Sequence, residues 1–416
     1  MVDYRKHTLH NGMTVLTHEA WDTPMATVSL LYGVGSRNEN PHRTGFAHLF
    51  EHLMFGGTGR TPDFDGVVSS LGGDSNAFTN CDYTQYYITL PADGLATALA
   101  LEADRMTGLD ISQQALEVQQ RVVTEEYHQR YMNRAYGDVW LHLRPLCYKV
   151  HPYRWPTIGA DIRHVSEATL DDVHAFYSRY YRPSNAILAV AAPLPHDEQA
   201  SLIDAAFSGI GDHDVPPMPP LPAEPLQTEA RELHLQRQVP ATKVYLAWHM
   251  CGQDERLFRA CDLLTDVLGS GKSSRMHRHL VVERGLMSEA DACISGEQGP
   301  GLLVLNGTMA PGADPEEGLA ALRDEAARLT VERVGDYELT KVQNRYENTY
   351  VYSQYRAADR AMALCHYTWL GDTDLINREP DEYRRVSADD LLEAARSVFG
   401  IDKENRLYYE AERDNS

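Results

Sequence analysis

Apolar and polar positions alternate in short runs and recur at a helical period in longer ones, interleaved along the chain. Asn11-Gly12 separates alternating segments around Thr8-Leu9 and Thr14-Val15, which predicts a hairpin with a two-residue turn. A strand is predicted over Thr27 to Tyr32. A helix-length segment follows that carries His48, Glu51 and His52 and stops at Gly56-Gly57. Gly72-Gly73 opens a strand-like run from Asn76 to Leu90. Val165-Ser166 starts a further helix, with a Ser or Thr available to cap it, and the apolar run Ala186 to Ala192 reads as a strand.

The run Val215-Pro216-Pro217-Met218-Pro219-Pro220-Leu221-Pro222 is too proline-rich for either period and reads as a linker. Beyond it the pattern returns. Lys243 to Trp248 repeats the strand Thr27 to Tyr32, and Val267-Leu268-Gly269 ends a helix as Met54-Phe55-Gly56 does. Val386-Ser387, an amphipathic segment and the strand Leu407 to Glu410 repeat the arrangement that begins at Val165-Ser166. Repeats displaced by about half the chain indicate an internal duplication. The expected fold is α+β, with two similar domains, each a mostly antiparallel sheet with helices packed on one face. The expected boundaries are 1–213, a linker over 214–231, and 232–416.

Composition narrows the function classes. The 416 residues are 43% hydrophobic and 24% charged, ordinary for a globular chain of more than one domain. The net charge of −22 argues against a general nucleic-acid binder, which needs a basic surface. No run of about 18 uncharged apolar residues is present, so no membrane helix is expected. Met1-Val2-Asp3-Tyr4-Arg5-Lys6 leads straight into patterned sequence without the apolar core of a secretory signal, so the expected location is the cytoplasm. Cys81, Cys147, Cys251, Cys261, Cys293 and Cys365 are scattered without a C-x-x-C pair, and read as reduced core residues.

The chemistry sits in His48-Leu49-Phe50-Glu51-His52. Residues four apart on a helix project only about 40° from each other, so two imidazoles can share one metal ion. Glu51 lies about 60° from His48 on the same side, near enough to act on a water without being a ligand. Zinc in such a site needs a third protein ligand and an open fourth position. Glu51 would then take the water's proton and return it to a leaving amine. H-x-x-E-H is the inverse of the H-E-x-x-H peptidase motif.

Arg43-Thr44-Gly45-Phe46-Ala47-His48-Leu49-Phe50-Glu51-His52-Leu53-Met54-Phe55-Gly56-Gly57 closely resembles the inverted zinc metallopeptidases of the pitrilysin, insulin-degrading and mitochondrial processing peptidase group. The resemblance extends to Leu71-Gly72-Gly73, Asn76-Ala77-Phe78-Thr79, Val122-Val123-Thr124-Glu125-Glu126, His151-Pro152-Tyr153, Tyr181-Arg182-Pro183-Ser184-Asn185 and Leu268 to Arg275. It covers essentially the whole chain, as for a short, two-domain, bacterial-like member. It implies a zinc-dependent endopeptidase with one zinc per chain, held by His48, His52 and Glu126, with Glu51 as the catalytic base. Glu125 is the alternative third ligand. Gln119 stands where several relatives carry a second-shell glutamate, so an amide would replace that carboxylate. Asn76, Ala77 and Phe78 resemble the edge strand on which relatives bind extended peptides through main-chain groups. The implied partners are a peptide substrate and a second chain, identical or related, completing a dimer.

Two departures stand out. Val281 and Ser288 occupy positions where many relatives carry an Arg and a Tyr that hold substrate and the developing oxyanion. A partner chain could supply that pair, Arg284 or Arg278 could substitute, or zinc alone could polarise the carbonyl. Cys261, Leu264 and Thr265 fall near the repeat positions of the metal-binding residues, so no second metal is expected. Gly269-Ser270-Gly271-Lys272-Ser273 hints at a phosphate loop, but Asp266 stands where that loop requires glycine and a helix precedes it. A non-catalytic scaffold, or a partner-dependent subunit of a peptidase complex, is the competing functional reading.

Overall fold

Gly12 adopts a φ of 88°, the left-handed conformation its tight turn requires. It joins β1 (Arg5–Thr8) to β2 (Thr14–Glu19) as an antiparallel hairpin, but the loop has three residues, His10 to Gly12, rather than the expected two, because the Leu9 N–H donates to the Met13 carbonyl. The computed structural model describes residues 1–216 and 220–412; Pro217, Met218 and Pro219 of the proline-rich stretch lie outside the described residues.

The first sheet continues with β3 (Met25–Tyr32), β4 (Asp74–Thr79), β5 (Thr84–Pro91) and β6 (Ala186–Ala192), in the order β1-β2-β6-β3-β5-β4. The strand-like run from Asn76 to Leu90 is therefore two strands. Asn80 breaks it: its side-chain oxygen accepts from the backbone N–H groups of Asp82 (2.7 Å) and Tyr83 (2.8 Å), an Asx turn that reverses the chain. The segment beginning at Val165-Ser166 also divides. A short helix ends at Ser166, and the longer helix Leu170–Tyr180 starts afresh from Thr169, which forms a capping box with Asp172.

The second sheet comprises β7 (Arg231–Arg237), β8 (Lys243–His249), β9 (Met287–Ser295), β10 (Leu302–Met309) and β11 (Asn405–Ala411). Its order is β7-β11-β8-β10-β9. The order β2-β6-β3-β5-β4 in the first sheet is the same path. In each, the first and last strands in sequence pair in parallel and every other pairing is antiparallel. Shared topology of this kind supports the duplication read from the sequence.

Each sheet has a core face packed by helices of its own half. In the second, Leu246, Trp248, Leu303, Leu305 and Tyr408 pack with the apolar sides of helices Phe258–Gly269, Pro315–Leu329 and Ala388–Val398. Each sheet also carries a helix on its other face, and that helix comes from the other half of the chain. Gln85 donates to Ser29 Oγ and to the carbonyl of Met362, placing helix Ala357–Trp369 on the side of the first sheet away from Tyr86. Tyr409, the neighbour of core-facing Tyr408, donates to Asp138 at the start of helix Val139–Cys147. The two compact units are accordingly discontinuous. One comprises Met1–Tyr127, Trp155–Leu221 and Val351–Arg378, and the other His128–Arg154, Pro222–Tyr350 and Glu379–Ser416. None of the described helices is long and apolar enough to cross a membrane.

Helix Ala357–Trp369 also brings a half-buried histidine against the first sheet. His366 Nδ1 lies 3.1 Å from the Tyr83 hydroxyl, and burial pulls its pKa down to about 4. The unfolded chain, with the ordinary value of about 6.5, binds the extra proton first as pH falls. The stability associated with neutral His366 is thus complete above about 6.5 and is lost as pH falls towards 4. Urea unfolding across that window should show a shallower pH slope in His366→Asn than in the wild type.

Candidate metal centre

The helix that carries the histidines, Phe46–Leu53, begins without a side-chain cap of its own, because the residue before it is Gly45 at φ 88°. Glu39 supplies the missing acceptor. Its two carboxylate oxygens accept from the backbone N–H groups of Gly45 and Ala47, each at 2.9 Å. A carboxylate at a helix start also complements the helix dipole. Burial pushes the Glu39 carboxyl up to about 8, against the pull of those N–H groups.

No Cβ fits at Gly45. It would stand 2.8 Å from the Ile158 carbonyl oxygen and 2.7 Å from Val165 Cγ2. Gly45→Ala therefore combines a left-handed conformation with a backbone collision, and should lower stability by at least roughly 1–3 kcal/mol. Its thermal unfolding midpoint checks this, and the lesion should also loosen the histidine helix.

His48 and His52 project from the same side of this short helix, with ring centroids 4.9 Å apart and planes at 83°. Helix Gln113–Tyr127 packs alongside and brings Glu126 to them. Glu126 Oε1 lies 3.6 Å from His48 Nε2, and Oε2 lies 3.3 Å from His52 Nε2. One donor atom from each of the three residues falls within 4.8 Å of the others, the one such His/Cys/Asp/Glu group among the described residues. Tetrahedral zinc with bonds near 2.0–2.2 Å separates its ligand atoms by about 3.3–3.6 Å. Donor types and spacing both fit a zinc-sized ion.

Glu125 is exposed and lines a separate hollow with Glu117, Gln120, Arg121, Thr124 and Ser166. Only Glu126 of the neighbouring pair faces the histidines. Gln119 is half-buried and makes no side-chain hydrogen bond among the described residues.

Glu51 stands between the two histidines on the same helix and is held from β4. The Thr79 hydroxyl, at the end of β4, donates to Glu51 Oε2 at 2.6 Å. Thr79 is a site residue that the sequence reading did not single out; its place directly after Asn76-Ala77-Phe78 was the available signal. Beneath the helix, the Tyr86 hydroxyl donates to the Phe50 carbonyl at 3.4 Å and lies 3.1 Å from the Tyr181 hydroxyl. Arg105 stacks under Tyr86 and is paired with buried Glu102. Burial, with the charge of Glu51 among further causes, raises both tyrosines well above their ordinary range, so they stay protonated. Glu39, Tyr86 and Tyr181 carry no recognisable spacing relative to the histidines, so only the fold associates them.

β4 is the outer strand of its sheet and lies beside the histidine helix. Asn76 and Phe78 are exposed on it, and Ala77 is half-buried. In the second unit, Val281 packs against the core and Ser288 is exposed, its hydroxyl donating to the Thr308 carbonyl at 3.4 Å. Arg284 is ion-paired with Glu317, and Arg278 donates to His279. Cys261, Leu264 and Thr265 are buried in helix Phe258–Gly269, which runs straight into the Gly271 turn without a preceding strand.

Two α+β repeats of one topology, one of them bearing a two-histidine, one-carboxylate cluster beside a further carboxylate, define a class of zinc-protease-like proteins. Comparison with known proteins makes this specific. Residues 14–144 match the family model described as insulinase (peptidase family M16), and residues 167–346 match the peptidase M16 inactive domain. The chain belongs to peptidase family M16. It is 28% identical to the zinc protease PqqE of Helicobacter pylori over 94% of this chain and 89% of that one. It is 25% identical to an uncharacterized zinc protease of Streptomyces coelicolor over 95% and 87% of the two chains. The crystal structure of a protease from Helicobacter pylori superposes with a TM-score of 0.92 at 26% identity, covering 99% of this chain and 100% of that one.

Proposed function

We propose that this chain is a zinc-dependent endopeptidase in which His48, His52 and Glu126 hold the metal and Glu51 is the general base. The observation that carries the reading is the convergence of those three donors beside, but not including, Glu51. A zinc ion held by His48, His52 and Glu126 would supply Lewis acidity, acidifying water and polarising a peptide carbonyl. Glu51 accepts the proton from the attacking water and hands it to the departing amine. Thr79 anchors one oxygen of the Glu51 carboxylate beside the three donors.

Substrate is an extended peptide. The outer edge of β4 offers main-chain groups to any sequence, with Asn76, Ala77 and Phe78 beside the bound segment. The chain works as a dimer with an identical or related partner, and six free cysteines suit a reducing, cytoplasmic setting.

A second reading is favoured by Val281 and Ser288, which cannot donate as Arg and Tyr do: a subunit that turns over substrate only with its partner, or a scaffold. The deciding experiment is metal analysis and generic peptide hydrolysis on the purified chain, wild type beside Glu51→Gln. Stoichiometric zinc with hydrolysis abolished in the variant supports the self-sufficient enzyme. Zinc without turnover in either protein supports the second reading, and absence of stoichiometric metal overturns both the site and the mechanism.

A further inference from the structure

The Thr79 hydroxyl that donates to Glu51 has a neighbour of its own kind. Thr79, the last residue of β4, and Thr84, the first of β5, stand opposite each other across the Asn80 turn. Residues directly opposite in an antiparallel pair project from one face of the sheet. Here it is the face that carries the histidine helix, because Tyr86, two residues beyond Thr84, donates to the Phe50 carbonyl. Both hydroxyls therefore lie on the side of Glu51, with their oxygens 3.3 Å apart.

A threonine hydroxyl has one proton to give. Thr84 is fully buried and gives its own to the Val34 carbonyl at 2.9 Å. Turning that proton elsewhere would leave a buried carbonyl without it, and an unmet buried acceptor is the costly side of hydrogen-bond energetics. Thr84 consequently meets Thr79 as an acceptor. The Thr79 proton then has two acceptors in reach, Thr84 Oγ1 at 3.3 Å and Glu51 Oε2 at 2.6 Å, and the carboxylate is the shorter contact. Thr79 itself is half-buried at the end of the outer strand, so its surroundings restrain it less than they do the enclosed Thr84. A locked polar group behind a less restrained one is how supporting residues fix a functional side chain.

We propose that Thr84 is a positioning residue for Glu51 that acts through Thr79. Tied to the Val34 carbonyl, its hydroxyl keeps the Thr79 side chain in the rotamer that directs the Thr79 proton to Glu51 Oε2. Neither threonine belongs to the metal cluster, so the effect falls on the carboxylate and not on the ion. The geometric part stands by itself. The kinetic part rests on the reading of Glu51 as the general base.

The test is crystallography and steady-state peptide hydrolysis on the full chain, wild type beside Thr84→Val, Thr84→Ser and Thr79→Val. In Thr84→Val, which keeps the shape and removes the hydroxyl, the Thr79 side chain should turn and lose its 2.6 Å contact with Glu51. Thr84→Ser should keep that contact. In the zinc-loaded protein, kcat should fall about tenfold in Thr84→Val with KM and bound zinc unchanged, as for loss of an outer-shell partner, and Thr84→Ser should recover most of it. The double variant Thr79→Val/Thr84→Val should be no slower than Thr79→Val alone, because both act through one hydrogen bond. An unmoved Thr79–Glu51 contact in Thr84→Val would overturn the proposal whether or not the chain alone turns over peptide. So would losses that multiply in the double variant. Glu51→Gln retaining full turnover would overturn the base assignment; Glu51→Gln inactive beside a fully active Thr84→Val would overturn the positioning role alone. If Thr84→Val does not fold, Thr84→Ala is read by the same contact and the same kcat.

Discussion

Glu51→Gln is expected to lower peptide hydrolysis by about 10²–10⁴-fold while leaving bound zinc unchanged, the range a general base contributes. Glutamine matches the shape of glutamate, and its carbonyl oxygen can still accept the Thr79 hydroxyl that anchors Glu51 at 2.6 Å. What it cannot do is take a proton. Because Glu51 stands outside the three-residue cluster, metal content and activity should separate in this variant. Parallel loss of zinc and turnover would mean that Glu51 is a ligand, and unchanged turnover would mean that another group is the base.

The second large effect is expected at the paired glutamates. Glu126→Gln removes a carboxylate whose two oxygens lie 3.6 and 3.3 Å from the two imidazoles. If Glu126 is a ligand as proposed, zinc affinity should fall by more than the roughly 10–100-fold typical of losing an outer-shell partner. Binding free energy at such a site adds to folding stability, so the zinc-dependent rise in the unfolding midpoint should shrink with it. Glu125→Gln should leave both quantities within experimental error, since that side chain lines a different hollow and stands outside the metal-sized cluster. Titration with a competing chelator distinguishes the two. Equal losses in both variants would show that the helix end, rather than one carboxylate, governs the metal.

Much of this could be read in advance because it is local. The Asn11-Gly12 hairpin, the strand Ala186–Ala192 and the helix before Gly271 follow from turn chemistry and periodicity within a dozen or so residues. His48, Glu51 and His52 share one helix, so their relation is set by helical pitch alone. Where one short side chain competes with periodicity, local reading failed. Asn80 splits a long strand by binding two backbone N–H groups, and Thr169 in place of Ser166 starts the longer helix because Asp172 returns its hydrogen bond.

By itself, then, the sequence determined the repeated strand-and-helix pattern, the two-histidine helix with its glutamate, and a short choice of third ligands. Tertiary structure decided which of Glu125 and Glu126 faces the histidines, because that depends on how helix Gln113–Tyr127 is rotated where it packs. It also decided that Glu39 caps the histidine helix, that Thr79 holds Glu51, and that Tyr86 and Tyr181 lie beneath. It assigned helices Val139–Cys147 and Ala357–Trp369 to the sheet of the opposite half. The reason is the same in each case. An amphipathic helix encodes that it has an apolar side, but not which of two similar sheets will cover it; that choice rests on contacts between residues far apart in the chain.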